Sequence, residues 1–246
     1  MKFSKWYLWL TLLLAAASFS FYLAQVMIFH RTQDTFFYML QDLAFVPIQV
    51  LLVTLILNDL MARREKKALL NKMNMVIGAF FGETGAELMA HLSKFDRNAA
   101  GLRSLLKIEA GWNENHFKQA RQKLLAQDHM IDHRSGDLEL LNEFLSAQRS
   151  FLLSLLENQN LLEHQSFTDL LWAVSHLTEE LKLRSNLAEL PESDLAHLAG
   201  DIKRAYVLLL AEWLEYARHL RTAYPYIYSL VIRSNPLDPQ ASVIVK

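Results

Sequence analysis

Two long apolar stretches near the N-terminus constrain this chain more than any other feature. Residues 6–29 contain no charged side chain, and residues 35–57 contain only one, Asp42. A helix rises about 1.5 Å per residue, so about 20 apolar residues cross the roughly 30 Å hydrocarbon core of a bilayer. Helices of a soluble protein usually keep a polar face over such a length. The sequence therefore predicts two transmembrane helices that bind the lipid bilayer directly.

The residues around these stretches predict a hairpin and its orientation. The two stretches are separated by residues 30–34, a tight turn between antiparallel helices. Cations flank their outer ends: Lys2, Lys5, Arg63, Arg64, Lys66 and Lys67. Positive charge collects on the cytoplasmic side of a membrane. We therefore expect a multi-pass inner-membrane protein with both termini in the cytoplasm. A cleaved signal peptide is the alternative interpretation of the first stretch, although its apolar run is longer than such peptides usually have.

Polar side chains inside the second stretch allow two interpretations. Asp42 and Gln49 are seven residues apart and lie near one face of the helix, and Pro47 between them predicts a kink. In the first interpretation, several subunits form an ion channel in which Asp42 selects cations. In the second, Asp42 reaches the interface or pairs with Gln25 or Arg31, while Gln49 bonds a neighbouring helix.

The domain organisation follows from where the apolar pattern changes. Residues 1–58 are predicted to be the transmembrane hairpin, residues 59–94 a membrane-proximal helix, and residues 95–246 a cytoplasmic helical bundle. The fold class is all-α. Gly78, Gly82 and Ala86 recur every four residues in the middle segment. Such a stripe of small residues lets two helices approach closely, either within one chain or between subunits of a homo-oligomer.

Breaker residues divide the cytoplasmic part into helices. They collect at 96–101, 132–137, 184–193 and 236–239. Helices are accordingly predicted near 102–129, 138–160, 163–183 and 193–223. Ser193 is the expected N-cap of the last helix, because Pro191 precedes it and Asp194 falls in the first turn. Apolar residues of that helix recur at helical spacing and are expected in the core: Leu195, Ile202, Tyr206, Leu209, Trp213 and Leu220.

Histidines and carboxylates share faces of the last two predicted helices. If these helices fold back about residue 188, His176 and Glu180 come opposite Asp201 and His197. A second group would bring Glu163 and His164 opposite Glu212 and Glu215, with His219 one turn further along. Helical bundles hold metals with such ligands, and imidazole with carboxylate suits zinc, iron or manganese. A divalent transition metal is thus a candidate cofactor.

Two other interpretations of these groups remain open. A buried network of histidine and carboxylate hydrogen bonds would have the same sequence pattern. So would a solvated boundary, because the polar residues flank the apolar face of each helix. The Glu-x-x-His pair that di-iron proteins carry on each of two helices is absent from these stripes.

Composition excludes several classes of function. The chain has no cysteine, which excludes disulfides and thiolate chemistry, and its net charge of −1 argues against nucleic-acid binding. No phosphate-binding loop or nucleophile elbow is present.

The leading hypothesis is a non-enzymatic sensing or interaction module whose histidines report pH or metal, with an unidentified protein partner. A gated ion channel comes second, and a metal-dependent membrane enzyme third.

Several segments carry a resemblance to a known group. Phe36 to Phe45, Val53 to Leu55, Asn71 to Phe81, and the segment from Tyr224 to Pro236 resemble uncharacterised prokaryotic two-span integral membrane proteins with a cytoplasmic helical domain. The resemblance implies a prokaryotic cell membrane and no particular activity.

Overall fold

The computed structural model describes residues 5–158, 161 and 164–244, and it divides the chain into two compact units. The first unit is Met1–Lys66 and the second is Lys67–Lys246. The predicted boundaries at 58 and 94 differ from this division. Lys2 and Glu163, which the sequence hypotheses used, lie outside the described residues.

Two long helices account for the first unit. Helix α1 spans Lys5–Phe29, and α2 begins at Thr32, passes Pro47 and ends at Phe80 in the second unit. The chain reverses at His30, whose φ of 52° lies in the left-handed region that side chains seldom adopt. Both helices are long and apolar enough to cross a membrane by length and composition, and their most apolar stretches are not buried by other parts of the protein.

The regular elements among the described residues of the second unit are helices and helical turns. After α2 come a π-helical turn (Phe81–Gly85), α3 (Ala86–Ser93), α4 (Ala99–Leu105), α5 (Glu114–Ala126), α6 (Leu138–Leu156), α7 (Gln165–Lys182), a short 3₁₀ turn (Leu187–Glu189), α8 (Glu192–Ala223) and α9 (Pro225–Arg233). The described residues form no strand, although Asp96 and Ile131 make an isolated antiparallel bridge. The all-α prediction is confirmed for this part of the chain.

Helix α8 is the central element of the second unit. It contacts α7, α5, α9 and α3, and α6 packs against α7. The apolar stripe predicted on α8 forms the core as expected: Ile202, Tyr206, Leu209, Trp213 and Leu220 are buried, and Leu195 is half-buried. Among the small residues of the 78–86 stripe, Gly78 lies under the ring of Tyr216 in the same chain. The close approach at Gly78 is therefore a contact within one subunit.

The helix predicted at 102–129 is wrong, because the chain breaks between α4 and α5. Asn113 accepts hydrogen bonds from the backbone N–H groups of Asn115 and His116, and His116 Nδ1 accepts from the Asn113 N–H at 3.0 Å. This reciprocal capping box starts a new helix at Glu114. The predicted loop at 96–101 also ends early, since α4 begins at Ala99.

The predicted N-cap of α8 is displaced by two residues. The helix begins at Glu192, and Pro191 occupies the N-cap with ψ of 151° and no side-chain bond. Ser193 consequently lies inside the first turn. The acidic side chains of Glu192 and Asp194 in this first turn lie at the positive end of the helix dipole and favour the start of α8 without a polar cap.

Candidate metal centre

Helices α7 and α8 pack face to face and bring together the first predicted group of histidines and carboxylates. The two helices run antiparallel, with the chain reversing between Lys182 and Glu192. His176 and Glu180 of α7 therefore lie opposite Asp201 and His197 of α8. This is the register that the sequence spacing predicted.

Asp201 lies at the centre of this group. Its Oδ2 atom is 3.4 Å from His176 Nε2 and 3.3 Å from His197 Nε2. The Asp201 side chain is only 3% exposed, whereas the two imidazoles are about half exposed, at 46% and 53%. Each of the three residues has one possible ligand atom that lies within 4.8 Å of the ligand atoms of the other two. Within the part of the chain that the structure describes, no other set of histidine, aspartate and glutamate side chains meets this condition.

The two oxygens of Asp201 have different surroundings. Oδ1 accepts a hydrogen bond of 2.9 Å from Arg204. Oδ2 is buried and accepts no hydrogen bond from any described residue. Leaving a buried carboxylate oxygen without a donor costs free energy, so a hydrogen-bond donor or a cation close by would stabilise this atom. A metal ion held with the two imidazoles would supply it, and so would protonated imidazoles.

Glu180 extends the group on the α7 side. Its Oε1 lies 3.8 Å from His176 Nε2, and its Oε2 lies 3.7 Å from His197 Nε2. Arg184 donates to Glu180 Oε2 at 2.7 Å. This hydrogen bond is the main reason that the pKa of Glu180 is lowered, so the carboxylate stays ionised and acts as an acceptor.

Arg184 is a functional candidate that the sequence reasoning missed. Besides Glu180 it binds Asp194, donating from Nε at 2.7 Å and from Nη2 at 2.6 Å. This paired contact lowers the pKa of Asp194. Arg184 lies four residues after Glu180, a spacing that places the two side chains on one helical face. The contact between Arg184 and Glu180 could have been predicted from this spacing.

The second predicted group lines a cavity of about 470 Å³ instead of converging on one point. His164, Glu212, Glu215 and His219 all border this cavity. Glu215 is bound by arginines, at 2.8 Å from Arg218 and 3.6 Å from Arg121. The metal hypothesis for this group stays a prediction, and among the described residues no metal-sized cluster forms there.

Two ionisable groups in this cavity are perturbed by burial. Glu212 is 2% exposed, and its removal from water raises the pKa of its carboxyl group. Burial lowers the pKa of His219, and Arg218 adds to this effect. His219 Nδ1 lies 3.3 Å from Asn74 Nδ2, which donates to it. These contacts describe a buried polar network.

Asp42 of α2 has a partner that the sequence reasoning did not name. Tyr22 of α1 donates its hydroxyl to Asp42 Oδ2 at 3.4 Å, whereas Arg31 pairs with Asp34. Tyr22 and Asp42 are ten residues either side of Thr32, so a symmetric hairpin would have placed them together. Gln49 lies on the exposed surface of α2.

Comparison with known proteins finds relatives for most of the chain. Residues 69–233 match the family model of the C-terminal helical domain of uncharacterized protein MJ1433, and residues 2–61 match that of its N-terminal helical domain. The uncharacterized protein MJ1433 of Methanocaldococcus jannaschii is 44% identical over 223 residues, which cover 91% of this chain and 90% of that protein. No solved structure matches. The predicted relationship to an uncharacterised prokaryotic group is thus confirmed, and the chain belongs to the MJ1433 family.

Proposed function

We propose that this protein is a membrane-anchored sensing or interaction module whose C-terminal helical domain binds a divalent transition metal. The observation that carries the proposal is the arrangement around Asp201 Oδ2, a buried carboxylate oxygen that faces two imidazole nitrogens and accepts no hydrogen bond from any described residue. Neutral imidazole and carboxylate are common ligands of zinc, iron and manganese. In this proposal the metal is either the signal that the domain senses or an ion that the domain needs for its structure. No residue is assigned a catalytic role.

The membrane part of the proposal is supported by the first two helices. Their apolar side chains are exposed along both α1 and the first half of α2, as they would be against lipid. In water such a surface would cost about 25 cal/mol for every Å² of apolar area. Cations follow the second apolar stretch and favour the cytoplasm for the C-terminal domain.

Elemental analysis tests the metal. The full chain, purified in detergent after growth with trace metals, is expected to carry about one equivalent of a divalent transition metal for each polypeptide. A His176→Ala, His197→Ala double variant should lose it. The matched control is a His164→Ala, His219→Ala double variant, which removes two histidines from the cavity group and should keep the metal. Wild-type protein that takes up no metal would refute the assignment, and loss of metal in the control alone would move the site to the cavity.

Cysteine labelling tests the membrane topology. Because the natural chain contains no cysteine, one thiol can be introduced at a time. A Gln33→Cys variant should react with a membrane-impermeant maleimide on intact cells, since the turn is proposed to face outward. An Ala241→Cys variant should react only after the cells are opened. The reverse pattern would overturn the proposed orientation, and recovery of the untreated chain in the soluble fraction would overturn the anchor.

The assembly state and the channel hypothesis stay predictions. The Tyr22 hydroxyl on Asp42 supports the interpretation in which Asp42 joins the two helices of one hairpin. A homo-oligomer would be seen as a multiple of the 28.5 kDa chain by light scattering in detergent. A channel would give ion flux into liposomes that Asp42→Asn alters.

A further inference from the structure

The cavity of about 470 Å³ is bordered by parts of α2, α5, α7 and α8, all within the second unit. Besides the histidines and glutamates described above, Lys67, Asn71 and Asn74 of α2 and Arg121 of α5 line it. The three residues of α2 are four and three positions apart, so they share one face of that helix. Cavities of about 300–1,000 Å³ are typical of small-molecule sites. Because the lining of this cavity is mainly polar, it suits a small and strongly polar ligand.

The cavity contains hydrogen-bond donors that have no acceptor among the described residues. Arg121 Nε is buried and unpaired, and Glu215 Oε1 is 3.6 Å away, too far for a hydrogen bond. His219 Nδ1 accepts from Asn74, so the hydrogen of the neutral imidazole is on Nε2, which is buried and unpaired as well. Lys67 adds an exposed ammonium group for which the described residues offer no carboxylate. The missing partner of all three groups is an acceptor.

The two carboxylates that border the cavity are already bonded. Arg218 contacts Glu215 Oε2 through Nε and through Nη2, each at 2.8 Å. Glu212 is 2% exposed and has a hydrogen bond with Ser166. The groups that remain for a ligand are therefore the donors, two of which are cations. Such a set favours an anionic ligand.

We infer that this cavity binds a phosphate monoester, carried by a soluble small molecule or by a lipid headgroup, and that Lys67 and Arg121 contact the phosphate. A phosphate monoester has about two negative charges at pH 7, which matches two cations. Guanidinium groups also donate to two phosphate oxygens at once. The cavity has room for roughly fifteen water molecules of about 30 Å³ each, so it also accommodates the group that carries the phosphate.

A phosphate bound in this way would join two helices. Lys67 belongs to α2 and Arg121 to α5, so one ligand would hold the C-terminal part of α2 against the helical bundle. The residues that bind it are distinct from His176, His197 and Asp201. The inference therefore does not rest on the proposed metal.

Isothermal titration calorimetry of the full chain in detergent tests the site. The protein is treated with a chelator first, so that phosphate cannot bind through a metal ion. Inorganic phosphate and glycerol 3-phosphate should each show saturable binding at one site per chain, and acetate at the same concentration should show none. A short-chain phosphatidic acid distinguishes the two sources. Binding tighter than that of glycerol 3-phosphate assigns the site to a lipid headgroup, and weaker binding assigns it to a soluble phosphate monoester.

Matched variants test the two cations. Lys67→Gln and Arg121→Gln should each weaken the binding of inorganic phosphate about 10–100-fold, because each removes a charge-assisted hydrogen bond. Lys66→Gln and Lys123→Gln are the controls. They remove the same charge from the same two helices, at positions one and two residues away that do not line the cavity. Lys67 is exposed, so its substitution leaves the core intact.

Three results would overturn the inference. One is that none of the three phosphate compounds binds in a saturable way. Another is that the control variants weaken binding as much as Lys67→Gln and Arg121→Gln, since general surface charge would then attract the anion. The third is that acetate binds as tightly as phosphate. Phosphate binding that persists in the His176→Ala, His197→Ala variant would support a site separate from the metal, and loss of metal there leaves this inference standing.

Discussion

A buried pair in the second unit is expected to make the stability of this protein depend on pH. His129 is 3% exposed and Asp96 is 5% exposed, with 3.8 Å between Nδ1 and Oδ2. His129 Nε2 lies 2.9 Å from the Leu124 carbonyl oxygen, which can only accept, so Nε2 carries a hydrogen. A neutral imidazole would therefore turn a bare Nδ1 toward the carboxylate. Protonation replaces this repulsion by an ion pair, and Asp96 is the main reason that the pKa of His129 is raised.

The size and the sign of this pH dependence follow from the binding of one proton to His129. Since the pKa of His129 is higher in the folded than in the unfolded protein, the stabilisation is complete below the unfolded value of about 6.5 and is lost as the pH rises through the folded value. One proton limits the slope to about 1.4 kcal/mol per pH unit. At low pH, His129→Gln leaves Asp96 buried without its cation, which costs about 3–5 kcal/mol. Lys203 and Tyr206 also lie near His129, and burial raises the pKa of the Tyr206 hydroxyl, which therefore stays neutral over this pH range.

The assay is urea denaturation of the full chain in detergent at several pH values between about 5 and 8, where histidine titrates. Wild-type and His129→Gln proteins are compared at each pH, since Glu212 and His219 also titrate and their contributions cancel in the difference. The stability advantage of the wild type should shrink as the pH rises. If the unfolding free energies of the two proteins changed in parallel with pH, or if the stability advantage of the wild type grew as the pH rose, the ion pair would be refuted.

Four substitutions test the packing and capping of the second unit by thermal denaturation in detergent. Gly136→Ala should cost about 1–3 kcal/mol, because its Cβ would lie 2.5 Å from the buried ring of Phe95. Gly200→Ala, whose Cβ meets nothing within 4 Å, should gain up to about 1 kcal/mol and a loss there would contradict this account. Leu177→Ala removes a fully buried side chain of α7 and should cost about 2–5 kcal/mol. Asn113→Ala should cost about 1 kcal/mol, and an unchanged melting temperature would contradict the capping role.

The register of α7 and α8 could be predicted because it depends on periodicity and on one loop position. Residues four apart share a helical face, and breakers at 184–193 fixed where the chain reverses. These two facts place His176 against Asp201 without any knowledge of side-chain conformation. The stripe along α8 was predictable for the same reason, since burial follows the apolar face of a long helix.

Local hydrogen bonding could not be predicted in the same way. The helix predicted over 102–129 is divided in the structure: α4 ends at Leu105, and Asn113 starts α5 by bonding the backbone. Competition between a side chain and the helical ladder is decided by conformation, and Asn alone does not specify it. The partner of Asp42 was missed for a similar reason, because several polar residues of the hairpin were within reach and geometry selected Tyr22.

The arginines explain why two groups with similar sequence spacing form different structures. In the cavity, Arg121 and Arg218 approach Glu215 and neutralise it. In the candidate metal centre, Arg204 binds only Oδ1 of Asp201, leaving Oδ2, the oxygen nearest the histidines, without a donor. The pattern of histidines and carboxylates is thus insufficient to distinguish a polar network from a metal site. Arginines reach both oxygens of Glu215, whereas Arg204 leaves Asp201 Oδ2 without a donor among the described residues, so the direction of approach of an arginine determines whether that carboxylate keeps an oxygen for a metal.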